Sequence, residues 1–273
     1  MSEALVVAAV QMNSQNEVGA NLEAVRARVA EARALGASLV VLPENFAFMG
    51  GTDEERRAVA EAVEGGGGPI VRTLAELARE HRVTIVGGGM PEASGDPARP
   101  YNTCVVVGPD GEVAARYRKI HLFDVEVGDG QTYRESAGVT GGDRPVVVKV
   151  GPLKVGLSVC YDLRFPELYR RLVDEGAEVL LVPAAFTLVT GKDHWHVLLR
   201  ARAIESQAYV VAAAQWGRHP KGRATYGKSL VVDPWGDVVA QASEGVGVVT
   251  ARLEPARVAE VRRTLPSLQH RRL

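Results

Sequence analysis

Three ionisable side chains of different chemistry lie just beyond the ends of predicted strands. Glu44, Lys119 and Cys160 each come within two residues of such an end. In α/β proteins, loops at the carboxyl ends of strands are where binding and catalytic sites are built. A thiol can attack a carbonyl, a carboxylate in a dry site can take the thiol's proton, and an ammonium can stabilise the oxyanion. Together they would suffice for acyl transfer without a histidine or a metal ion.

The local context of Cys160 leaves two interpretations open. The residue stands between a buried strand and a helix that Pro166 helps to start, with Arg164 close by. A helix N-terminus and a cation would lower the pKa of the thiol and favour a nucleophilic thiolate. Most free cysteines, however, are small buried apolar residues. We interpret Cys104, inside an apolar strand, in that second way.

The elements that would position these residues alternate between short apolar runs and amphipathic stretches, which is typical of an α/β fold. A capping box of Thr52 and Glu55 opens one helix, which runs to Val63. The other predicted helices cover residues 21–35, 69–81, 166–175, 193–208 and 255–264. Predicted strands cover residues 5–11, 38–42, 83–87, 103–107, 112–117, 146–150, 154–159, 179–182 and 209–215, with a hairpin around 233–236.

Residues 122–144 form a long stretch without a clear period. It is rich in glycine and partly acidic, and a loop of that length inside a compact domain is usually functional. No repeat and no change in composition marks a linker elsewhere. We therefore expect one domain over residues 1–273.

Composition and charge exclude several classes of function. The 273 residues include 32 basic and 33 acidic side chains, so the net charge of −1 argues against a nucleic-acid or anionic-membrane surface. Two cysteines are too few for a disulfide framework or a thiolate metal site. No apolar run approaches the ~20 residues of a membrane span, and the first residues do not resemble a signal peptide. We expect a cytoplasmic protein without a membrane or nucleic-acid partner.

Three segments around the candidate residues resemble the three signatures of the nitrilase superfamily of carbon–nitrogen hydrolases. They are 42–46 (LPENF), 117–124 (YRKIHLFD) and 159–168 (VCYDLRFPEL). Further runs are similar to the Nit branch of amidases in that superfamily. These runs are 194–205, 213–215, 226–227, 232–236 and 269–272. The likeness covers essentially the whole chain.

The resemblance implies a role for each matching residue. Glu44 would be the general base, Lys119 the electrostatic stabiliser and Cys160 the nucleophile. Glu135 matches a second glutamate thought to orient the lysine and the substrate. The fold would be a four-layer α-β-β-α sandwich that pairs with a second copy through helices and the C-terminal tail. Neither a cofactor nor a metal ion is implied.

Two positions depart from the pattern of the branch. His196 stands where relatives often have glutamate, and Lys228 stands where they often have histidine. On a helix, His194 and His196 at positions i and i+2 face apart, so we do not expect them to share a metal ion. Neither departure touches the four candidate catalytic positions.

The resemblance also suggests a small acidic amide as substrate. Residues 213–219 (AAQWGRH) resemble amidases of the branch that hydrolyse deaminated glutathione to 2-oxoglutarate and cysteinylglycine. An ω-amidase that releases ammonia from 2-oxoglutaramate is the alternative enzyme, and an inactive dimeric interaction scaffold is the alternative outside catalysis. Tyr161 and Arg164 are the expected substrate-binding residues. Arg218, His219 and Arg223 are further candidates for a substrate carboxylate, which arginine binds in bidentate fashion.

Residues 222–229 fit the phosphate-loop pattern G-x-x-x-x-G-K-S. The chemistry of that loop needs a helix directly after the lysine and serine, so that the helix N-terminus meets the phosphate. Residues 230–236 instead predict a strand and a turn. We therefore do not expect nucleotide binding.

Overall fold

Two six-stranded sheets stacked face to face form the centre of the structure, a computed structural model that describes residues 4–50, 52–128 and 132–272. The strands are β1 Leu5–Gln11, β2 Leu39–Val41, β3 Thr84–Glu92, β4 Tyr101–Val107, β5 Val113–Arg118, β6 Asp124–Glu126, β7 Thr132–Arg134, β8 Val147–Val150, β9 Leu153–Leu157, β10 Val179–Leu181, β11 Tyr209–Ala212, β12 Trp216–Arg218, β13 Ala224–Tyr226, β14 Leu230–Val232, β15 Val238–Gln241 and β16 Gly247–Leu253.

The α-helices of the described residues lie between or after these strands in the chain. They are α1 Val18–Ala34, α2 Asp53–Ala58, α3 Pro69–His81, α4 Glu135–Gly138, α5 Pro166–Asp174, α6 Leu188–Ser206 and α7 Pro255–Thr264, with short 3-10 helices at Cys160–Arg164, Pro220–Gly222 and Ser267–His270. The first sheet has the order β16-β1-β2-β3-β4-β5, and the second has the order β15-β14-β11-β10-β9-β8.

Alternation along the strands divides the apolar core into two parts. In β1, Val7 and Ala9 face the second sheet and pack in one cluster with Leu157 and Trp195. The intervening residues, such as Ala8, join a second cluster with the inner faces of α1 and α3. Helices α5 and α6 cover the other face of the second sheet. The layers therefore follow the α-β-β-α order that the resemblance implied.

Most predicted elements are confirmed within a few residues. Residues 122–144 differ, because the hairpin β6–β7 and helix α4 lie within the stretch expected to be an irregular loop; residues 129–131 lie outside the described part. The C-terminal strand β16 was not predicted, and it pairs antiparallel with β1. The phosphate-loop pattern is followed directly by strand β14, as expected.

Strand β3 does not end at residue 87 as predicted but continues through a bulge to Glu92. Three consecutive glycines, 87–89, form this bulge. A β-carbon on Gly88 would lie 2.1 Å from the Leu42 carbonyl oxygen and 2.2 Å from the Pro183 β-carbon. A β-carbon on Gly89 would lie 2.7 Å from Asn102 Oδ1. Only glycine lets the chains that carry Glu44 and its neighbours approach so closely.

We expect Gly88→Ala to lower the free energy of unfolding by roughly 1–3 kcal/mol, because the added methyl group must displace backbone on one side and a proline ring on the other. Urea unfolding measures this loss. Gly19→Ala in α1 is the matched control, since a β-carbon there would meet nothing within 4 Å. Equal unfolding free energies for Gly88→Ala and the parent protein would contradict the packing described for the bulge.

Candidate active site

The three charged residues predicted for the site, Glu44, Lys119 and Glu135, meet at one edge of the sandwich. Glu44 follows β2, Lys119 follows β5, and Glu135 begins α4. Lys119 Nζ lies 2.9 Å from Glu44 Oε1 and 2.8 Å from Glu135 Oε2. The Lys119 side chain is only 2% exposed. A buried ammonium between two carboxylates is therefore the electrostatic centre of the site.

Cys160 reaches the same place from the second sheet. It follows β9 and has a left-handed backbone conformation, with φ +48°, and its N–H donates to the Pro183 carbonyl at 2.9 Å. The turn is held by the fully buried Asp162, whose carboxylate accepts from the Val159 N–H at 2.8 Å and from the Tyr117 hydroxyl at 2.7 Å. These contacts fix a sharp turn that places Cys160 beside Glu44 in the wall of one cavity, where the Glu44 carboxylate affects the pKa of the thiol.

The expected lowering of the Cys160 pKa is wrong for this site. Burial raises the pKa of the thiol, and the neighbouring Glu44 carboxylate raises it further, while Lys119 opposes them. Helix α5 starts only at Pro166, after the short 3-10 helix, so its N-terminus does not meet the thiol. The resting group is a neutral thiol beside a base.

Glu44 is ionised in the resting site, whereas the neighbouring Cys160 thiol is neutral. Burial alone would raise the pKa of Glu44, but the charges of Lys119 and Arg223 and the hydrogen bond from Lys119 lower this pKa to about 2. The Ala185 N–H also donates to Glu44 Oε2 at 3.0 Å. Opposite charges raise the pKa of Lys119 despite its burial. An ionised carboxylate, an ammonium and a neutral thiol thus share one buried corner.

Asn102 was not singled out in the sequence, although it bridges the two carboxylates. Its Nδ2 donates to Glu44 Oε1 at 2.9 Å and to Glu135 Oε1 at 3.2 Å. Glu135 also accepts the Phe123 N–H at 2.7 Å. A buried asparagine near the start of an otherwise apolar strand was the available signal, because such an amide needs polar partners. Its significance depends on long-range contacts that a local pattern does not contain.

A cavity of about 300 Å³ opens onto the thiol and the two carboxylates. Tyr161 and Arg164, the two residues predicted to bind substrate, are among the residues that line it. Arg223 lines it as well, whereas Arg218 and His219 are not among its lining residues. Arg218 is exposed and His219 is buried behind the wall. Within the described ranges, no group of three or more His, Cys, Asp or Glu side chains is arranged to hold a metal ion.

Comparisons with known proteins identify relatives of this chain. A family model described as carbon-nitrogen hydrolase matches residues 6–263. The chain is 47% identical over 272 residues to a deaminated glutathione amidase of Synechocystis sp., and the match covers 97% of each. The crystal structure of the C. elegans NitFhit protein superposes with a TM-score of 0.92 at 39% identity, covering 99% of this chain and 66% of that one. Saccharomyces cerevisiae Nit3, of branch 10 of the nitrilase superfamily, gives 0.87 at 32% identity, covering 100% and 98%.

This chain belongs to the carbon–nitrogen hydrolase family, a class of amide-hydrolysing enzymes in the nitrilase superfamily. The expected superfamily and its Nit branch are thereby confirmed. None of the helices within residues 4–50, 52–128 and 132–272 combines the length and the apolar character that a membrane span requires.

His219 is a buried histidine that supports the cavity wall from behind. Its Nδ1 lies 2.8 Å from the Ser14 carbonyl oxygen, and its Nε2 lies 2.7 Å from the Thr225 hydroxyl. Because a carbonyl only accepts, Nδ1 carries the proton and Nε2 accepts from Thr225. Burial lowers the pKa of His219 to about 4; the Ser14 carbonyl opposes this shift, and the Arg223 charge adds to it.

The pKa of His219 predicts a loss of stability in mild acid. The unfolded histidine binds a proton near its usual pKa of 6.5, whereas the folded one stays neutral down to about 4. The free energy of unfolding should therefore be fully retained above pH 6.5 and fall by about 3 kcal/mol between pH 6.5 and pH 4 through this group. Urea unfolding across that interval should show a shallower pH dependence for His219→Gln. His270→Gln, at an exposed histidine, is the control and should keep the pH dependence of the parent protein. If His219→Gln shows the same pH dependence of the unfolding free energy as the parent protein, His219 is not the group responsible.

Proposed function

We propose that Cys160, Glu44 and Lys119 are the catalytic residues of an amidase that works through a thioester. The observation that carries this proposal is the convergence of three groups on one cavity: the Cys160 thiol, the Glu44 carboxylate and the buried Lys119 ammonium, which lies 2.9 Å from Glu44 Oε1. We assign Glu135 the positioning of Lys119, which it contacts at 2.8 Å. The chain would act as a single carbon–nitrogen hydrolase domain over residues 1–273.

The first half of the reaction forms the acyl-enzyme. Glu44 takes the thiol proton as Cys160 Sγ bonds to the amide carbon, and the carbonyl π electrons move onto oxygen. The Lys119 ammonium and the backbone N–H of Tyr161 stabilise this oxyanion. When the carbonyl re-forms, the carbon–nitrogen bond breaks, and Glu44 gives its proton to the leaving nitrogen. The products of this half are an amine or ammonia and a thioester on Cys160.

The second half consumes water. Glu44, again a carboxylate, takes a proton from water as the hydroxide oxygen bonds to the thioester carbon. Collapse of the second tetrahedral intermediate breaks the carbon–sulfur bond, and the departing thiolate recovers its proton from Glu44. Because the pKa of the thiol is raised in the resting site, the proposed mechanism has proton transfer to Glu44 accompany attack on the carbonyl.

We expect Cys160→Ala to reduce amide turnover by more than roughly 10⁴-fold at saturating substrate, because no thioester can form. Cys104→Ala is the matched control: Cys104 is buried inside strand β4 and is not among the residues that line the cavity, so its variant should keep parent turnover. Mass spectrometry of quenched parent enzyme should find the acyl group on Cys160. Retained turnover by Cys160→Ala, with thermal unfolding unchanged, would overturn the mechanism.

The proposed substrate is deaminated glutathione, which would yield 2-oxoglutarate and cysteinylglycine. Support comes from relatives of that activity, including the enzyme from Synechocystis sp. at 47% identity. The cavity of about 300 Å³ with Arg164 and Arg223 in its wall suits a small anion. Tyr161, adjacent to the nucleophile, and Arg164 would contact this substrate.

Parallel assays with deaminated glutathione and 2-oxoglutaramate separate the two enzyme hypotheses. We expect a higher kcat/KM for deaminated glutathione; a higher value for 2-oxoglutaramate would instead assign an ω-amidase. If the purified protein binds both compounds but forms no acyl adduct and releases no product, the inactive scaffold is the correct description.

We also propose that the protein acts as a homodimer in the cytoplasm, without nucleic-acid or membrane partners. Val197 and Ile204, seven residues apart on the outer face of α6, are 66% and 48% exposed, and Trp235 is 50% exposed. A second copy that covers this apolar face would remove it from water. A reducing compartment would keep the reactive thiol free. Analytical ultracentrifugation measures the assembly, and a monomeric mass at micromolar concentration would contradict the dimer.

A further inference from the structure

Four basic residues were candidates for a substrate carboxylate, and the structure separates them by position and charge. Arg218 is exposed and His219 is buried as a neutral imidazole, and neither lines the cavity. Arg164 and Arg223 both line it. Arg164 already has a polar neighbour, because its Nη1 lies 3.2 Å from Nδ1 of His194. Its Cζ also lies 5.0 Å from the centre of the Phe186 ring.

Arg223 differs because part of its guanidinium is buried without an acceptor. Its Nη2 donates to the Ala185 carbonyl at 2.9 Å, and its Cζ lies 5.5 Å from the centre of the Tyr133 ring. Its Nε is buried and has no hydrogen-bond partner among the described residues. A buried donor of a charged group that lacks an acceptor is costly, and in a cavity wall a ligand can supply the acceptor.

The backbone that carries Arg223 is held in place before any ligand binds. The His219 N–H donates to the Arg223 carbonyl at 2.8 Å, and the His219 ring ties this loop to Ser14 and Thr225. The contact between Nη2 and the Ala185 carbonyl fixes the other end of the side chain. A guanidinium fixed in this way loses little conformational freedom when it binds an anion.

Arg223 also lies close to the reacting groups. Ala185, whose carbonyl it binds, donates its own N–H to Glu44 at 3.0 Å, and the charge of Arg223 lowers the pKa of Glu44. A carboxylate that reaches Arg223 must therefore be only a few bonds from the carbonyl that Cys160 attacks. Such a carboxylate belongs to the acyl part of the substrate and not to a distant end of the leaving group.

We propose that Arg223 binds the carboxylate of the acyl part of the substrate, through Nε and the neighbouring guanidinium N–H groups, and so selects ω-amides of dicarboxylic acids. This inference rests on the proposed amidase function. In deaminated glutathione and in 2-oxoglutaramate the acyl part carries such a carboxylate, so Arg223 would serve either substrate. Arg164 remains available for other contacts at the cavity wall.

A matched pair of amides tests this assignment. Glutaramate and pentanamide have the same five-carbon chain, and a carboxylate in the first replaces a methyl group in the second. The measured quantity is the ratio of kcat/KM for glutaramate to that for pentanamide. We expect Arg223→Met to lower this ratio roughly 10- to 100-fold, as for the loss of a hydrogen-bonded charge pair. Arg223→Lys should recover part of the ratio, because it restores the charge without the planar donor set.

Arg218→Met is the control, because it removes a neighbouring arginine of the same region from outside the cavity, and it should keep the parent ratio. If Arg223→Met reduces turnover of both amides by the same factor, Arg223 acts only through Glu44, and the proposed contact is wrong. The proposed amidase function would survive that outcome.

Direct binding distinguishes failure of the inference from failure of the proposed function. Isothermal titration of 2-oxoglutarate into Cys160→Ala should give a dissociation constant that rises roughly 10- to 100-fold when Arg223→Met is added. If the parent protein hydrolyses neither amide nor deaminated glutathione but this difference is found, the function is wrong and the carboxylate site stands. If 2-oxoglutarate binds both variants equally, or does not bind Cys160→Ala, the site is overturned.

Discussion

The buried ion cluster of Lys119 with Glu44 and Glu135 is the interaction on which the rest of the site depends. Taking an ammonium out of water costs several kcal/mol unless close anions compensate it, and Lys119 is only 2% exposed. Its two carboxylate partners come from distant parts of the chain, one after strand β2 and the other on α4. The fold must therefore bring several strand ends together. The glycine bulge of β3 lets the neighbouring chains approach closely at this point, and the amide of Asn102 donates to Glu44.

The same cluster decides where the protons reside. Both thiols of the chain have raised pKa values: burial alone raises that of Cys104 to about 12, and burial together with Glu44 raises that of Cys160. Neither Cys104 nor Cys160 is therefore a thiolate in the resting state, so ionisation of the thiol does not distinguish the two residues. What distinguishes Cys160 is an adjacent ionised carboxylate and an opening into a cavity. The proposed reactivity of Cys160 therefore depends on the placement of a base rather than on a stabilised thiolate.

Local patterns predicted elements whose bounds are set by signals within the element itself. Strand β1 and helix α3 match their predicted bounds, since apolar periodicity and Pro69 at the helix start are local signals. Elements that depend on distant partners were missed. Strand β16 is only partly buried and exists through its pairing with β1. Strand β3 passes through glycines that normally end a strand, because the bulge makes room for the site.

The sequence by itself determined the chemical groups of the site and the family to which the chain belongs. Side-chain type and motif order are properties of the chain, so Glu44, Lys119 and Cys160 could be selected without coordinates. The tertiary structure decided that Glu135 touches the lysine and that Asn102 joins the two carboxylates. It also reversed the expected pKa shift of Cys160. Distance and burial set electrostatic energies, and both arise from packing between segments far apart in sequence.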